Sequence, residues 1–337
     1  MKESLMAALL ALALLFGIPW MTAKEVSAED STTPAPAEQP DSTGTDTIQG
    51  EKDSAIRLKV WNGTEVQEMT MADYLPGVVR GEMPASFEEE ALKAQAVAER
   101  SYILYQVAHG PKENHPTADV CMDPKCCNAY VSAEKAAQNW GDAAADNEAK
   151  IQKAVRDTDG YVALYDNQPI LAVFHSSSAG KTESSGDVWS SNLPYLVGVS
   201  SPENADTVPN YYSTATFAAD DFKAAFLAAY PAADLSGAPD TWCKDLIKNG
   251  SDRVEKITVG GVTVTGVELR TVLKLRSASF TVETAGDTLT FHVTGYGHGV
   301  GMSQYGANEL AREGKTWQEI LAWYYAGVTF APYQPRA

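Results

Sequence analysis

The chain has 337 residues and a formal charge of −18, with 44% hydrophobic and 21% charged residues. These fractions are ordinary for a globular protein, and the length is sufficient for one large domain or two modest ones. The acidic balance and the lack of a Lys/Arg-rich block exclude a nucleic-acid-binding face.

The N-terminal segment, residues 1–23, carries Lys2 and is almost uninterrupted apolar sequence from Leu5 to Ala23. At about 1.5 Å per helical residue, its length matches the roughly 30 Å hydrocarbon core of a bilayer. We expect a membrane anchor, because the apolar run is long for a signal peptide and Trp20 suits a membrane interface. The alternative is a signal peptide that is cleaved after the small residues at 26–28. In both cases the rest of the chain is exported.

Residues 24–54 are rich in Pro, Ser, Thr, Asp and Glu and have hardly any large apolar side chains. Such a segment cannot bury enough surface to offset its ordering entropy, so we expect a disordered linker. The alternating residues 56–60 then predict a half-buried strand. We therefore expect one folded domain over residues 55–333.

Glu82 lies in the sequence GEMP, directly before a predicted helix. Pro84 disfavours helical geometry at the residue before it, so we expect Glu82 in an extended or turning segment. Ser86 and Glu89 form a predicted capping box that begins the helix. The Glu82 carboxylate either favours the positive end of that helix, or lies in a partly apolar pocket where a raised pKa suits a general acid.

The predicted helix continues to Tyr105 and is rich in residues that favour helices. Lys93 and Arg100 are seven residues apart and share one face of this helix. Their neighbours are too apolar for a solvent-exposed stripe, and cations on a buried helix require an anionic partner. This partner is either an acidic residue of the protein or a carboxylate of a substrate.

Four candidate metal ligands, His115, Cys121, Cys126 and Cys127, lie within one short loop. Thiolates and an imidazole in such a cluster suit a tetrahedral zinc ion. Disulfides are the alternative in an exported protein, and together with Cys243 the four cysteines allow three pairings. The residues by themselves favour neither zinc nor disulfides.

Residues 160–173 predict a strand, a turn at Asp166-Asn167 and a second strand. The sequence HSSSAGKT follows at residues 175–182. It lacks the first glycine of a phosphate-binding loop, and the Gly-x-Ser-x-Gly motif of serine hydrolases is absent. His175 and the serines are therefore either turn residues after a strand or polar contacts for a sugar.

The C-terminal half mixes helices and strands without a regular βαβ pattern. This favours an α+β fold, with mixed helices and short-stranded sheets around one active-site cleft. We expect residues 215–250 to be helical and residues 256–291 to form short strands, with an inserted α/β subdomain considered at about 200–275. Thr316 and Glu319 predict a capping box for the last helix.

Residues 295–306, GYGHGVGMSQYG, alternate glycine with larger residues. Glycines at this density allow positive φ angles and close backbone approach. A tight turn is one interpretation. His298 among the glycines favours a loop that faces a ligand and leads into a helix.

Several of these segments together resemble the SpoIID/LytB family. They are the sequence around GEMP, the loop of residues 115–130, AVFHSSSAGKTESSGDVW, NLPYLVGV and the segment that begins GYGHGVGMSQYG. They occur in the family's order and cover most of residues 55–333. The resemblance implies a SpoIID-like catalytic domain that acts as a lytic transglycosylase on peptidoglycan glycan strands stripped of stem peptides, in engulfment during endospore formation.

The resemblance also implies roles for individual residues. Glu82 matches the catalytic glutamate of the family. Substrate-binding roles in the cleft are implied for Lys93, Arg100, His175, Ser178, Tyr195, His298 and Gln304. We expect Lys93 or Arg100 to bind the lactyl carboxylate of N-acetylmuramic acid.

Zinc is the cofactor that the resemblance implies. Some family members hold zinc with two histidines and two cysteines, and here Cys126 stands where the second histidine would be. A structural zinc bound by His115, Cys121, Cys126 and Cys127 is the resulting expectation. With all four positions filled by protein, a zinc hydrolase is disfavoured, since no position is open for water.

The implied partners are glycan strands, stage II sporulation proteins P and M and, through the N-terminal segment, the membrane. We expect an extracytoplasmic domain at the cell membrane, or a secreted protein if that segment is cleaved. Hydrolytic glycosidases need two carboxylates, whereas a lytic transglycosylase uses the sugar's own 6-hydroxyl and needs one. The alternative function is a non-catalytic, glycan-binding activator of a cell-wall amidase.

Overall fold

The computed structural model describes residues 50–335, and its mixture of helices and small sheets confirms the α+β prediction. The predicted anchor and the linker up to residue 49 lie outside the described residues. Within the described range, none of the helices is both long enough and apolar enough to span a bilayer.

The main body is formed by the chain before residue 212 and after residue 294. Its N-terminal elements are β1 (Arg57–Trp61), β2 (Val66–Thr70), α1 (Met71–Glu82), α2 (Glu89–His109), β3 (Val120–Cys121), α3 (Ala133–Trp140), α4 (Ala144–Asp157), β4 (Tyr161–Tyr165), β5 (Gln168–Pro169), β6 (Phe174–His175) and α5 (Ser185–Val188). Strand β1 pairs antiparallel with β2 and parallel with β3. The hairpin of β4 and β5 turns at Asp166 and Asn167, both with positive φ, as predicted.

Helix α2 lies at the centre of the main body, with 14 of its 21 residues buried. The predicted capping box at Ser86 is wrong, because the helix begins at Glu89 and has no side-chain cap. The N–H of Phe87 bonds instead to the carbonyl of Pro84 at 3.0 Å, so Ser86 lies within a turn. The predicted helix itself is present and extends to His109.

Residues 212–294 form a second unit with its own hydrophobic core. Its elements are β7 (Tyr212–Ala218), α6 (Ala219–Ala229), β8 (Cys243–Lys248), β9 (Val254–Val259), β10 (Val262–Val264), α7 (Gly266–Leu273), β11 (Phe280–Ala285) and β12 (Thr288–Thr294). Phe222 stacks on Trp242 and on Phe291, with ring centroids 6.0 and 6.1 Å apart.

The sequence predictions for this second unit are wrong in part. Strands β7 and β8 lie in the stretch predicted to be helical, and helix α7 lies in the stretch predicted to form strands. Strand β7 has only half-buried and exposed residues, so it lacks a strong apolar alternation. The inserted subdomain was considered at about residues 200–275. These limits end before β11 and β12, which complete a sheet with β7.

The chain returns to the main body after residue 294. The last elements are β13 (Met302–Ser303), α8 (Gln304–Arg312), α9 (Trp317–Tyr324) and β14 (Thr329–Pro332). The predicted capping box of Thr316 and Glu319 begins α9. Strand β13 pairs in parallel with β6, so the loop after His175 and the glycine-rich loop lie side by side.

Residues 50–54, predicted to end the disordered linker, belong to the fold. The N–H of Glu51 bonds to the carbonyl of Tyr333 at 2.8 Å, and Asp53 is only 3% exposed. The carboxylate of Asp53 binds the guanidinium of Arg100. A single aspartate in a polar run carries no sequence signal of burial, so the predicted boundary was placed too late.

Candidate active site

Glu82 is the last residue of α1, and the prediction of an extended segment before α2 is wrong for this residue. The extended backbone begins one residue later, at Met83, with φ −125° and ψ 135°, as the following proline requires. The carboxyl group therefore lies at the negative end of α1. The negative end of a helix disfavours a charged carboxylate. Stabilisation by the positive end of α2, the first interpretation of Glu82, is not needed to explain why a carboxyl group lies here.

The carboxyl group of Glu82 is partly buried and is held by one backbone donor. Its Oε1 accepts a hydrogen bond from the N–H of Ala129 at 2.5 Å. The backbone carbonyl of Glu82 accepts a bond from Nε2 of Gln304 at 2.9 Å. Burial raises the pKa of Glu82 above its ordinary value of 4.5, and the Ala129 bond opposes this shift. A carboxyl group that keeps its proton above the usual range can act as a general acid.

Glu99 is a second carboxyl group near Glu82, which the sequence analysis missed. It is fully buried on α2 and accepts hydrogen bonds from the amides of Gln95 at 2.8 Å and Asn128 at 2.6 Å. Burial raises the pKa of Glu99 well above its ordinary value, and the charge of Glu82 raises it further. Because Asn128 directly precedes Ala129, Glu99 fixes the segment whose N–H binds Glu82. The feature of the sequence that could have indicated Glu99 is a carboxylate within an Ala-rich, buried helix.

The loop between α2 and α3 brings together the four predicted metal ligands. The ligand atoms of His115, Cys121, Cys126 and Cys127 all lie within 4.8 Å of one another. Nδ1 of His115 lies 2.9 Å from the carbonyl of Ala118, so Nε2 is free to bind a metal, and it lies 3.3 Å from Sγ of Cys127. Zinc bonds of about 2.0–2.3 Å place tetrahedral ligand atoms roughly 3.3–3.8 Å apart. The cluster therefore fits a Cys₃His zinc site.

Disulfides, the alternative interpretation of the cysteines, are absent from the described part of the chain. All four cysteines are free thiols. The sulfur atoms of Cys126 and Cys127 are 3.9 Å apart, compared with about 2.05 Å in a disulfide. Cys243 lies apart from the cluster, in β8 of the second unit. The geometry favours the metal-site interpretation over the disulfide interpretation.

Arg100 and Lys93 were predicted to bind a substrate carboxylate, and the structure pairs both of them with acids of the protein. The Arg100 side chain is 0% exposed, and its Nε and Nη2 each lie 2.7 Å from an oxygen of Asp53. Nζ of Lys93 lies within 3.3 Å of the carboxylates of three residues, Glu89, Glu90 and Asp157. Both cations are neutralised by acids of the protein, which is the other partner that burial allows.

Ser178 and Tyr195, which were predicted to contact the substrate, form hydrogen bonds within the protein interior. Ser178 is 1% exposed, and its N–H and hydroxyl both donate to Oε1 of Glu203 at 2.7 Å. Ser303 on β13 donates to the same oxygen at 2.5 Å, so the buried Glu203 joins the ends of β6 and β13. Tyr195 is 6% exposed, and its Oη accepts a bond from the N–H of Leu171 at 3.1 Å.

His175 and His298 lie together where β6 meets the glycine-rich loop, with ring centroids 5.6 Å apart. Nδ1 of His175 lies 3.2 Å from the carbonyl of Val300, and the N–H of Val300 donates to Nδ1 of His298 at 3.1 Å. Burial lowers the pKa of both rings, to about 3 for His298. Both imidazoles are therefore neutral near pH 7 and can form hydrogen bonds without carrying charge.

Buried polar atoms without a hydrogen-bond partner are concentrated near Glu99 and near the two histidines. Within residues 50–335, they are Gln95 Oε1, Asn128 Oδ1, His175 Nε2, Ser177 Oγ, Glu183 Oε1 and Arg276 Nε. The first two belong to the amides that bind Glu99. Buried polar groups are normally paired with protein, water or ligand. The residues of the other four atoms all contact the glycine-rich loop, which is therefore a second place where a polar ligand can bind.

Comparison with known proteins gives consistent matches. A family model described as stage II sporulation protein matches residues 61–165. The chain is 35% identical over 326 residues to stage II sporulation protein D of Bacillus subtilis (strain 168), covering 96% of this chain and 92% of that protein. It is 35% identical over 279 residues to stage II sporulation protein D of Bacillus amyloliquefaciens, covering 82% and 79%. An amidase enhancer of Bacillus subtilis (strain 168) is 30% identical over 313 residues, covering 77% of this chain and 40% of that protein.

Proposed function

The chain belongs to the stage II sporulation protein D family, and on this basis we propose that it is an exported peptidoglycan lytic transglycosylase with a role in sporulation. Its substrate would be glycan strands without stem peptides, and its products would carry 1,6-anhydro-N-acetylmuramic acid ends. The observation that carries the proposal is the partly buried carboxyl group of Glu82, whose pKa is raised.

In the proposed mechanism Glu82 acts as the acid and then as the base. Its carboxyl proton passes to the glycosidic oxygen while the bond from this oxygen to the anomeric carbon breaks. The carboxylate then accepts the proton of the 6-hydroxyl group as that oxygen bonds to the anomeric carbon of the same sugar. The attack is intramolecular, so its effective concentration is high without a positioned water. The N–H of Ala129 holds the carboxylate while it is charged.

Glu99 does not serve as the second carboxylate of a hydrolase in this mechanism. Both of its oxygens accept amide hydrogen bonds, and the residue is fully buried. Hydrolytic glycosidases place a second carboxylate against a water or against the sugar. A buried Glu99 instead supports the position of Glu82, which agrees with a reaction that needs a single catalytic carboxyl group.

Zinc is proposed as a structural cofactor, bound by His115, Cys121, Cys126 and Cys127. A bound ion with four protein ligands stabilises the loop and has no open position for a catalytic water. The support is the mutual distance of at most 4.8 Å among the ligand atoms. Asn128 and Ala129 directly follow the last ligand, so the metal would hold the loop that orients Glu82.

A second candidate function is the activation of a cell-wall amidase by glycan binding. The similarity to the amidase enhancer favours it. Stage II sporulation proteins P and M as partners, and a location at the outer face of the cell membrane, are further proposals that follow from the family and from the apolar N-terminal segment.

The substitution Glu82→Gln tests the proposed reaction. The full chain and the variant are incubated with stripped glycan, and the products are identified by mass spectrometry. We expect anhydro ends from the wild type and a loss of about 10²–10⁴-fold in the variant, the usual contribution of general acid–base catalysis. The matched control, Glu313→Gln, removes an exposed carboxylate and should keep full activity.

The same pair of proteins distinguishes the two candidate functions. If the wild type releases no anhydro ends while it and Glu82→Gln stimulate an amidase equally, the lyase proposal is wrong and the activator function is supported.

A further inference from the structure

We propose that Arg276 and Arg270 of the second unit form an anion-binding subsite for the lactyl carboxylate of an N-acetylmuramic acid residue. This inference rests on the proposed glycan substrate. It gives the carboxylate the partner that Lys93 and Arg100 cannot provide, since the protein's own acids neutralise both. A glycan strand carries this carboxylate on alternate sugars, so a subsite displaced from Glu82 along the strand is expected.

The first observation is uncompensated positive charge. Neither Arg270 nor Arg276 forms an ion pair with a carboxylate within residues 50–335, although the chain carries a formal charge of −18. Nε of Arg270 donates to the carbonyl of Leu275 at 3.3 Å, and the group that opposes the lowering of its pKa by burial is the phenol of Tyr296, not a carboxylate. Partly buried cations are usually paired with an anion. These two side chains are therefore available to an anionic ligand.

The geometry of Arg276 suits a carboxylate. Its guanidinium carbon lies 4.2 Å from the centroid of the Tyr296 ring, which is 45% exposed. A guanidinium that stacks on an aromatic ring keeps its N–H edges free for a bidentate bond to a carboxylate. The Nε donor of Arg276 is buried and has no partner in the described residues. It is therefore a ready donor for such a bond.

The subsite is joined to the loops around Glu82 by direct hydrogen bonds. The N–H of Gly297 donates to the carbonyl of Arg276 at 2.9 Å, and Nη2 of Arg253 donates to the carbonyl of Gly297 at 2.8 Å. Ser177 and Tyr296 exchange two backbone hydrogen bonds, of 3.0 and 2.8 Å. Arg253 and Arg276 are thus fixed against the glycine-rich loop, which in turn pairs with the loop after β6.

One pair of strands and one hydrogen bond connect these loops to Glu82. The glycine-rich loop leads into β13, which pairs with β6 at the register Ser303–His175. The next residue, Gln304, binds the backbone carbonyl of Glu82. Glycine is required at residue 301, because a Cβ at Gly301 would lie 2.1 Å from the backbone carbonyl oxygen of Val173, at a φ of +70°. The arginines and the acid therefore lie along one continuous set of loops.

The unpartnered atoms indicate the chemistry of the ligand. Nδ1 of His175 is bonded to a carbonyl, so its Nε2 accepts hydrogen bonds, as does Oε1 of Glu183. Nε of Arg276 and Oγ of Ser177 can donate. A ligand that fits them offers a carboxylate together with hydroxyl or amide donors. In a stripped glycan strand, N-acetylmuramic acid has all of these groups, and N-acetylglucosamine lacks the carboxylate.

The test compares two glycans that differ in the carboxylate alone. Stripped glycan, and the same glycan with its lactyl carboxyl groups reduced to alcohols, are titrated into the full chain carrying Glu82→Gln, so that neither is consumed. We expect the carboxylate form to bind about tenfold more tightly, equivalent to about 1.4 kcal/mol. Adding Arg276→Ala should reduce this ratio to about one and leave the affinity for the reduced glycan unchanged.

Two further variants complete the experiment. Arg57→Ala removes an exposed guanidinium on β1 and should keep the tenfold preference. Arg276→Gln keeps the side-chain length and replaces Arg276→Ala if the alanine variant does not fold. Equal binding of the two glycans by the parent, or a preference that survives in Arg276→Ala or Arg276→Gln, would overturn the subsite.

Failure of the subsite is distinguishable from failure of the proposed function. The lyase reaction is measured separately, from the anhydro ends released by the chain with Glu82 intact. A glycan-binding protein without lyase activity would still show the carboxylate preference.

Discussion

Glu99 and Arg100 are adjacent on the buried helix α2, yet Arg100 keeps its charge and Glu99 favours the neutral form. Arg100 keeps its charge because Asp53 binds it through two bonds of 2.7 Å. Glu99 contacts only neutral amides through its hydrogen bonds, and burial raises its pKa so that the neutral acid is favoured. The charge state of a buried group is thus decided by the partner that the tertiary structure supplies.

We predict that Asp53→Ala destabilises the fold by about 3–5 kcal/mol, because it leaves the Arg100 guanidinium buried without a counter-charge. Denaturant unfolding measures this change. The control, Lys315→Ala, removes an exposed ion pair with Glu319 and should cost about 0–1 kcal/mol. An Asp53→Ala protein as stable as the control would contradict the structural role of this pair.

We predict that Glu99→Gln weakens the pH dependence of stability. Between the ordinary carboxyl pKa of 4.5 and the higher pKa of Glu99 in the fold, the folded protein holds a proton that the unfolded chain has released. The free energy of unfolding therefore falls as pH rises through this window. Glutamine has no such proton, so the unfolding free energy of the variant should fall less between pH 4.5 and 8. Parallel curves for the two proteins would exclude a neutral Glu99.

At the scale of elements, the loop between α2 and α3 connects the cysteine cluster to the carboxyl group of Glu82, the proposed acid. Cys127 is followed by Asn128, which binds Glu99, and by Ala129, which binds Glu82. The pairing of β6 with β13, secured by Glu203, brings Gln304 to the backbone carbonyl of Glu82. The candidate acid is therefore positioned by two loops that come from distant parts of the chain.

We predict that the purified chain contains one zinc ion and that a chelator lowers both its melting temperature and its release of anhydro ends. The reason is that the N–H of Ala129 loses its fixed position when the loop is released. Elemental analysis and thermal unfolding, before and after chelation and zinc re-addition, measure the effect. Cys126→Ser should lower the zinc content, and Cys243→Ser, outside the cluster, should not. A chain without metal and with an unchanged melting temperature would argue against the zinc site.

At the scale of the whole molecule, two hydrophobic cores share one chain. The second unit begins and ends at adjacent points, since the N–H of Gly295 bonds to the carbonyl of Tyr211 at 2.8 Å. An insertion with adjacent ends adds little loop-closure entropy to the main body. It contributes Arg253 and Arg276, which hydrogen bonds connect to the glycine-rich loop.

We predict that the main body folds when residues 212–294 are replaced by a short Gly-Ser linker. The shortened chain should retain helical circular dichroism and zinc binding, with a lower melting temperature because part of the His175 environment becomes exposed. Its binding of stripped glycan should no longer depend on the lactyl carboxylate. A shortened chain that is molten or binds no zinc would show that the two units depend on each other to fold.

The features that could be predicted correctly from the sequence are local. The alternation of β1, the hairpin at Asp166-Asn167, the capping box of α9 and the presence of α2 each depend on residues close together in the chain. The cysteine and histidine cluster was also predictable, because its four members lie in one loop. Each of these patterns carries its own physical cause, whether periodicity, turn geometry or ligand spacing.

The tertiary structure alone decided the partners of the buried polar groups. The pairing of Arg100 with Asp53, of Glu99 with Asn128 and of Ser178 with Glu203 joins segments that are separate in sequence. A buried charge requires a partner, but the requirement does not identify the partner, and a substrate carboxylate satisfies it as well as a protein one. Only the packing of distant segments determines which groups meet, and so which cations are left available to a ligand.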